Sequence, residues 1–342
     1  MKPRITVLGW YGKRNCGDES YKMAFPQIFP QYEFRFVDVI TPKVIEETDG
    51  FILGGGDIMA PQMVAQLENV TKPKHVMSAT ASNPNVPADK LQAFESVFVR
   101  DYASIELLQE KGVHARWLPD VAMVLRGNAK KGQERIKSYF DRYNSDKYQK
   151  VVVVVVNSYL LNEDHPDSET RKFVNFMKFA QDMAWVCDNT PASFLFLPFG
   201  GRLPFDDRVT GSFVASKCKF WQKNAIVFDD PDVQATLDIF AAADCVVSTR
   251  LHSSILACGQ GTPFLDVTWN HKGKWFLETV GQQKLSMPYR SFDAAGTAEM
   301  IDDMLFNGED LKKEIAAVAK KQTAIIMNST KFPLVEAVKE TK

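Results

Sequence analysis

Short runs of apolar, largely β-branched residues alternate with stretches of helical periodicity along almost the whole chain of 342 residues. The run at 151–156 consists of valine alone, and the stretch after it places Phe176, Ala180 and Ala184 on one helical stripe. Strands that alternate with helices form parallel sheets with right-handed crossovers. The sequence therefore predicts an α/β fold.

The predicted strands form two sets of five or six, which indicates two doubly wound, Rossmann-like domains. The strands are predicted at 5–8, 34–39, 50–53, 75–79, 97–99, 115–118, 151–156, 194–197, 225–228, 245–248 and 263–267. A polar, charged stretch at 129–150 separates the two sets. We therefore expect an N-terminal domain over 1–145, a C-terminal domain over 150–290 and closing helices over 291–342.

The charge of the chain is almost balanced, with 41 basic and 42 acidic residues and a formal net charge of −1. No global positive field recruits nucleic acid or anionic lipid, so only a local basic surface could do so. The longest aliphatic run, 151–156, is far shorter than the roughly 20 residues of a membrane span. The apolar stretch at 5–8 is too short for a secretory signal. We expect a cytoplasmic protein without integral membrane contact.

The cysteines are odd in number and form no C-x-x-C pair, which is typical of reduced cysteines packed as small apolar groups. They are Cys16, Cys187, Cys218, Cys245 and Cys258. The five histidines have no metal-ligand spacing such as H-E-x-x-H. We therefore expect neither a disulfide framework nor a metal site.

Ligands of open α/β sheets bind beyond the carboxyl ends of the strands, near helix N-termini. The first segment at such a place is GKRNCGDE at 12–19, where Gly12 and Gly17 allow a tight turn around Asn15. It is neither a Walker A motif nor a G-x-G-x-x-G fingerprint, which disfavours a phosphate-loop NTPase or a classical dinucleotide site. Asp18 and Glu19 are either helix-capping acids or carboxylates of the site.

A second segment, LGGGD at 53–57, follows the strand predicted at 50–53. Its glycines, including Gly55 and Gly56, either let a ligand approach the backbone or only form a turn. In the first case Asp57 faces the ligand. The same segment thus offers one further candidate for a proton acceptor.

A third segment, VVSTRLHSS at 246–254, carries an arginine and a histidine to the start of a helix. Arg250, Leu251, His252 and Ser253 can there combine a guanidinium, an imidazole, a hydroxyl and free backbone amides around one anion. Such a grouping of polar and charged side chains is costly to assemble without a ligand. This segment is therefore the strongest candidate for an anion site.

Three further cations follow strands of the second set. Arg202 ends the glycine-rich stretch FGGR at 199–202, after the strand predicted at 194–197. Lys272 and Lys274 follow the strand predicted at 263–267 and either add positive charge to the site or lie on the surface. Arg202 and Lys272 complete the set of candidate donor-binding residues.

Several of these blocks together resemble the polysaccharide pyruvyl transferase family. In the second half they are S-x-RLHS at 248–253, GTPF at 261–264 and the stretch at 272–281. In the first half they are N-x-GDE at 15–19, GGGD at 54–57 and RD-x-x-S at 100–104, followed by Leu108, Gly112 and Asp120. The order and spacing of the blocks, from about residue 8 to 281, are those of the family.

The resemblance implies a GT-B-like fold, in which an acceptor-side N-terminal domain and a donor-side C-terminal domain face each other across a cleft. It also implies a final helix that crosses back to the N-terminal domain. The implied activity is transfer of pyruvate from phosphoenolpyruvate to two hydroxyls of a sugar as a ketal, with release of phosphate. Donor binding then falls to Arg250, Leu251 and His252, with Arg202 as a looser match.

The residue types suit this chemistry. Arginines bind the phosphate and carboxylate of phosphoenolpyruvate, and His252 can exchange a proton near neutral pH. Asp18, Glu19 or Asp57 can accept a proton from the sugar hydroxyl. No cofactor or metal is expected, and replacing Arg250 by alanine is expected to remove donor binding with little change in melting temperature.

A glycosyltransferase of the same architecture with a nucleotide-sugar donor is the main alternative. Many such enzymes hold the nucleotide ribose with an acidic residue, but Leu256 occupies that position here. The acceptor in this alternative is a glycan or a modified nucleotide in DNA, with the basic stretch at 129–150 as a phosphate contact. A binding protein without catalytic activity is the third interpretation.

Overall fold

A computed structural model describes residues 2–83, 85–142, 150–161 and 169–335, with the backbone alone for 169–174. The chain forms two compact units. The first unit comprises the chain up to Gly12, Gly17–Val124 and the chain from Lys321 onward. The second comprises Lys13–Cys16 and Leu125–Lys320. Each unit contains one six-stranded sheet.

The sheet of the first unit is parallel throughout, with the strand order β2-β1-β3-β4-β5-β6. Its strands are β1 (Arg4–Leu8), β2 (Glu33–Val37), β3 (Gly50–Gly56), β4 (Lys74–Ala79), β5 (Ser96–Val99) and β6 (Arg116–Trp117). The central strands β3 and β4 are buried along their whole length, as expected for a sheet covered on both faces.

The sheet of the second unit is also parallel throughout, with the strand order β11-β8-β7-β12-β13-β14. Its strands are β7 (Val151–Val155), β8 (Ser193–Phe196), β11 (Asn224–Ile226), β12 (Cys245–Ser248), β13 (Phe264–Thr268) and β14 (Ser286–Pro288). Two short strands, β9 (Gly201–Arg202) and β10 (Phe205–Asp206), form a separate antiparallel hairpin after β8. The predicted α/β class with two parallel sheets is confirmed.

Helices connect most of the consecutive strands. They are α1 (Cys16–Ile28), α2 (Pro42–Glu46), α3 (Pro61–Ala65), α4 (Ala88–Leu91), α5 (Tyr102–Glu110), α6 (Ala129–Asp141), α7 (Glu169–Asn189), α8 (Asp207–Ala215), α9 (Val233–Ala242), α10 (Leu251–Gln260), α11 (His271–Val280), α12 (Ala294–Phe306) and α13 (Glu309–Ser329). Short 3₁₀ helices lie at Val121–Val124, Ser158–Leu161, Trp221–Lys223, Gln283–Leu285 and Tyr289–Ser291.

The first unit ends earlier than the boundary at about residue 145 that the sequence predicts. Helix α6 belongs to the second unit because it packs tightly on α9. At Gly132 the two helices approach so closely that a Cβ atom would lie 1.9 Å from the Asp238 carbonyl oxygen. Arg135 and the backbone amide of Asn128 both interact with the buried Asp238 carboxylate. The stretch 129–142 is therefore a packed helix and not a linker.

Helix α9 begins after Asp232, whose side chain accepts from the Ala235 amide. An aspartate before a proline is typical of a helix start, but the pair Asp230–Pro231 lies upstream of this cap. Pro231 packs on the backbone of Gly201, where a Cβ atom would lie 2.4 Å from the proline ring. The proline therefore serves a tertiary contact and does not start the helix.

All five cysteines are buried free thiols. Burial raises the pKa of Cys245 and of Cys258 to about 12, so both are protonated at neutral pH. Among the described residues, no helix combines the length and the apolar character that crossing a lipid bilayer requires.

The first unit fixes its glycine-rich strand end through a buried tyrosine. Tyr21 donates to the Asp120 carboxylate at 2.8 Å, and Arg100 forms an ion pair with the same carboxylate. Because this network holds the Tyr21 ring in place, a Cβ atom at Gly55 would lie 2.1 Å from it. Gly55 also has a φ of 80°, which disfavours any residue with a side chain.

We therefore expect Gly55→Ala to lower the free energy of unfolding by about 2–5 kcal/mol, from the left-handed backbone and the overlap with the ring together. Gly12→Ala is the matched control, because Gly12 also has a positive φ but open space around it. Gly12→Ala should lower the free energy of unfolding by about 1–2 kcal/mol. Equal losses in denaturant unfolding would contradict the packing role of Gly55.

Candidate functional site

The candidate residues of the second unit lie at the carboxyl edge of its sheet. Segments that follow β7, β8, β12 and β13 meet there, as expected for ligand sites of open α/β sheets. Their contacts centre on one side chain that the sequence did not single out. That side chain is Asp207, the first residue of α8.

The Asp207 carboxylate is 2% exposed and connects three of these segments. It accepts hydrogen bonds from the backbone amides of Ser158, Phe199 and Gly200 at 2.9, 3.1 and 2.8 Å. It also accepts from Arg250, with Nε at 2.9 Å and Nη2 at 2.6 Å. Five N–H groups thus donate to this buried carboxylate.

Arg250 is therefore held in one orientation by its contact with Asp207. Its side chain is 10% exposed, and a Cβ atom at Gly200 would lie 2.6 Å from its Nη2. The Nε–Nη2 edge is occupied by the carboxylate. Within the part of the chain that the structure describes, Nη1 donates no hydrogen bond. The Nη1 side of the guanidinium is therefore the one that can meet a ligand.

The contact corrects one expectation from the sequence. Removing the Arg250 side chain leaves a buried carboxylate without its cation, which typically costs 3–5 kcal/mol. Arg250→Ala is therefore expected to lower the melting temperature markedly, whatever it does to donor binding.

Arg250 is the N-cap residue of α10, so Leu251, His252 and Ser253 form the first turn of this helix. The side chains of Leu251 and His252 are partly exposed, whereas Ser253 is fully buried. The Ser253 hydroxyl has no hydrogen-bond partner among the described residues. The amides of such a first turn attract negative charge.

Part of the 12–19 segment pairs with the loop after β8. Asn15 forms an antiparallel bridge with Gly200, Cys16 donates its amide to Phe199, and Gly201 donates to the Arg14 carbonyl. Burial raises the pKa of the Cys16 thiol to about 12, with a hydrogen bond to Thr236 opposing the shift. Cys16 is therefore protonated and is a poor nucleophile.

The other predicted cations of the second unit occupy different positions. Arg202 is exposed on the β9–β10 hairpin, two residues after Gly200. Lys272 is partly exposed in the first turn of α11, which the Asn270 side chain caps. Lys274 pairs with Glu278 at 3.8 Å on the surface of the same helix. Only Arg202 and Lys272 therefore remain candidates for a role at the site.

The predicted carboxylates belong to the first unit, where they lie in three different surroundings. Asp18 is 8% exposed, and its Oδ1 lies 3.0 Å from where a Cβ atom of Gly56 would be. Glu19 accepts from the Gly12 amide at 2.6 Å and pairs with Lys22. Asp57 is exposed, and both of its oxygens lie 2.6 Å from the Ser82 hydroxyl. Gly17 accepts from Ser20 in the first turn of α1.

Asp266 is a buried carboxyl beneath the first turns of α10 and α11. It accepts from the Ser254 hydroxyl at 2.7 Å and from the Thr268 hydroxyl at 2.8 Å. No cationic side chain pairs with it in the described ranges. Burial raises its pKa above the ordinary value of 3.8, and the two hydroxyl donors oppose that shift in part.

Leu256, the residue at the ribose position of the alternative interpretation, is fully buried in α10. Its side chain therefore belongs to the core and offers no contact to a nucleotide. Among the described residues, no group of three or more histidine, cysteine, aspartate or glutamate side chains could hold a metal ion.

Sequence reasoning missed Asp207 because its partners are distant along the chain. One local signal was available, namely the pair Asp206–Asp207 shortly after FGG at 199–201. Asp206 caps α8 through the Arg208 amide and pairs with the Arg208 guanidinium. Two adjacent acids at a helix start, of which only one is needed as a cap, indicate a second role for the other.

Comparison of the sequence with known families gives one match. The family described as polysaccharide pyruvyl transferase matches residues 51–271, which is more than half of the chain. The chain belongs to the polysaccharide pyruvyl transferase family. The resemblance identified from the sequence blocks is thus confirmed, and the match includes both the GGGD block and the S-x-RLHS block.

A curated relative is the amylovoran biosynthesis protein AmsJ of Erwinia amylovora. It is 23% identical over 121 residues, which are 34% of this chain. The matched part spans only 28% of the length of that relative.

Solved structures share the fold at very low sequence identity. A putative UDP-N-acetylglucosamine 2-epimerase from Listeria monocytogenes has a TM-score of 0.59 at 10% identity, with 96% of this chain and 94% of that chain covered. MnaA of S. aureus, solved with UDP, has a TM-score of 0.60 at 8% identity, with coverage of 96% and 94%. A UGT transferase from Siraitia grosvenorii, solved with UDP, has a TM-score of 0.56 at 11% identity, with coverage of 96% and 98%. These similarities confirm the GT-B-like fold class.

We expect Asp207→Asn to lower the melting temperature by roughly 6–20 °C, because it leaves the Arg250 charge unpaired and gives the site one acceptor fewer. Asp206→Asn is the control. The Asp206 side chain caps α8 and pairs with Arg208, which is more exposed than Arg250. Its replacement should lower the free energy of unfolding by only about 1–2 kcal/mol. Thermal unfolding measures both changes. A loss at Asp207 no larger than that at Asp206 would show that the Asp207 contacts are dispensable.

Asp266 should make stability depend on pH. Its raised pKa means that the folded state keeps this proton at pH values where the unfolded state has lost it. The contribution of Asp266 is therefore largest at low pH and falls as the pH rises from 3.8 through the folded-state value. Relative to the unchanged protein, Asp266→Asn should therefore gain in melting temperature as the pH rises above about 4. A difference between the two proteins that does not change with pH would contradict the raised pKa.

Proposed function

We propose that the protein transfers pyruvate from phosphoenolpyruvate to two hydroxyls of a sugar in a polysaccharide or its precursor. The observation that carries the proposal is the placement of Arg250 at the start of α10, oriented by the buried Asp207. This placement coincides with the S-x-RLHS block of a family described as polysaccharide pyruvyl transferase. The donor site is assigned to the second unit.

Phosphoenolpyruvate carries a phosphate and a carboxylate, and the site has donors for both. The Nη1 side of Arg250 and the first-turn amides of α10 suit one anionic group. Arg202 on the adjoining hairpin and Lys272 in α11 supply further positive charge at the same sheet edge. These cations are needed because the Asp207 carboxylate offsets the charge of Arg250.

The reaction balances as an addition followed by a displacement. The oxygen of one sugar hydroxyl bonds to C2 of the donor and loses its proton to a general base. A proton from a general acid reaches C3 and turns the methylene into a methyl group, so that hydroxyl and double bond combine without net loss of a proton. The second hydroxyl then bonds to C2 as the C2–O bond to phosphate breaks, and its proton leaves with the phosphate. No electrons pass to or from another molecule, so this chemistry requires no redox cofactor.

His252 is the proposed proton donor to C3 or to the departing phosphate, since imidazole exchanges protons near neutral pH. The proton acceptor for the sugar hydroxyl is proposed among Asp18, Glu19 and Asp57. Acid or base assistance of this kind contributes about 10²–10⁴ in rate.

Calorimetric titration with phosphoenolpyruvate tests the donor. We expect Arg250→Lys to weaken donor binding by at least about tenfold. Lysine keeps the charge opposite Asp207 but lacks the second N–H edge of a guanidinium, which would donate to the ligand. Arg208→Lys is the control, because Arg208 forms a similar pair with the neighbouring Asp206. Its donor affinity should equal that of the unchanged protein.

The titration also separates the proposal from its alternative. Tight binding of a nucleoside diphosphate with no signal for phosphoenolpyruvate would overturn the proposal in favour of a glycosyltransferase. In a turnover assay with sugar acceptors, the product should gain the mass of one pyruvyl group and not of a whole sugar.

A further inference from the structure

A short loop of the second unit exposes two adjacent aromatic side chains among lysines. This aromatic–lysine loop covers residues 217–223, between α8 and β11, and has the sequence KCKFWQK. Phe220 is 53% exposed and Trp221 is 57% exposed. Trp185, on the neighbouring helix α7, is 45% exposed. Adjacent bare aromatic side chains are unusual on a protein surface unless they meet a partner.

The aromatic–lysine loop is held in place by its backbone. The carboxylate of Asp188, near the end of α7, accepts from the Lys219 amide at 2.9 Å and from the Phe220 amide at 3.0 Å. Trp221–Lys223 then form one turn of 3₁₀ helix. The Nζ atom of Lys223, the last residue of this turn, lies 5.5 Å from the Phe220 ring centroid. The two aromatic side chains are thus presented on a fixed backbone.

The lysines of the loop lack carboxylate partners, unlike several other surface lysines of the described chain. Lys90, Lys137, Lys178, Lys284 and Lys313, for example, each form an ion pair with a nearby carboxylate. Lys217, Lys219 and Lys223 form none within the ranges that the structure describes. With three lysines in seven residues, and the Asp188 carboxylate bound to its backbone amides, the loop is a local positive patch on a chain of net charge −1.

We propose that the aromatic–lysine loop attaches the protein to an anionic lipid surface. Tryptophan and phenylalanine insert their rings at the headgroup level of a membrane, while lysines contact the lipid phosphates. Charge complementarity favours this partner, because three unpaired lysines flank the aromatic pair. The inference is independent of the proposed reaction, since no residue of the loop belongs to the donor site.

The position of the loop leaves the donor site open. The loop leads into the first residue of β11, so it lies at the amino edge of the second sheet. Arg250 follows the last residue of β12 and lies at the carboxyl edge. With the loop on a lipid surface, the donor site of this unit points away from that surface.

Sedimentation of the full chain with vesicles tests the proposal. We expect binding to phosphatidylglycerol vesicles at low salt, weak binding to phosphatidylcholine vesicles, and loss of binding as salt screens the lysines. Each of Lys217→Gln and Lys219→Gln should weaken binding by about fivefold. Phe220→Ser combined with Trp221→Ser should weaken it by at least about tenfold, because the inserted apolar area is lost.

Matched controls come from the same unit. Phe306 is 55% exposed, and Lys320 is exposed in α13, so Phe306→Ser and Lys320→Gln remove similar groups elsewhere. These variants should bind vesicles as the unchanged protein does. All variants should keep the melting temperature and the affinity for phosphoenolpyruvate.

Three results would overturn the proposal. The first is no binding of the unchanged protein to phosphatidylglycerol vesicles, which would leave an acidic protein as the partner to seek. The second is equal weakening by the loop and control variants. The third is weakening by the lysine variants with none from the aromatic pair, which would indicate nonspecific charge attraction.

Discussion

The buried ion pair between Asp207 and Arg250 determines how the second unit arranges the carboxyl edge of its sheet. One carboxylate accepts from the loops after β7 and β8 and from the residue that caps α10. Two charges buried together are stable only when their remaining hydrogen-bonding positions are filled, and here backbone amides fill those of the carboxylate. The orientation of Arg250 is thereby fixed before any substrate arrives, which lowers the cost of ordering it on binding.

This arrangement also changes the electrostatic basis of anion binding. An arginine paired with an aspartate contributes directed hydrogen bonds and little net charge. Under the proposed function, the attraction of a trianion then comes from Arg202, Lys272 and the amides of α10. Arg250 would then contribute mainly through the direction of its hydrogen bonds. Such directed bonds favour a carboxylate or a phosphate over water.

Much of the fold follows from local pattern. The strand predicted at 245–248 agrees with β12, and the closing helices predicted over 291–342 include α12 and α13, because apolar periodicity and turn residues mark these elements. The edge strand β14, with a proline at its end, and the two-residue strands of the β9–β10 hairpin carry too few residues to show a pattern. The S-x-RLHS block could be read from the sequence, whereas Asp207 could not, since its partners Ser158 and Arg250 are distant along the chain.

The chain leaves the first unit after Gly12, pairs with the loop after β8 over Lys13–Cys16, and rejoins the first unit at Gly17. The second unit is therefore completed by four residues from far upstream. A fragment cut at residue 125 would lack the backbone partners of Phe199 and Gly201, next to the amides that hold Asp207. Any attempt to split the protein or to permute its termini has to carry that tetrapeptide along, or supply it as a separate peptide.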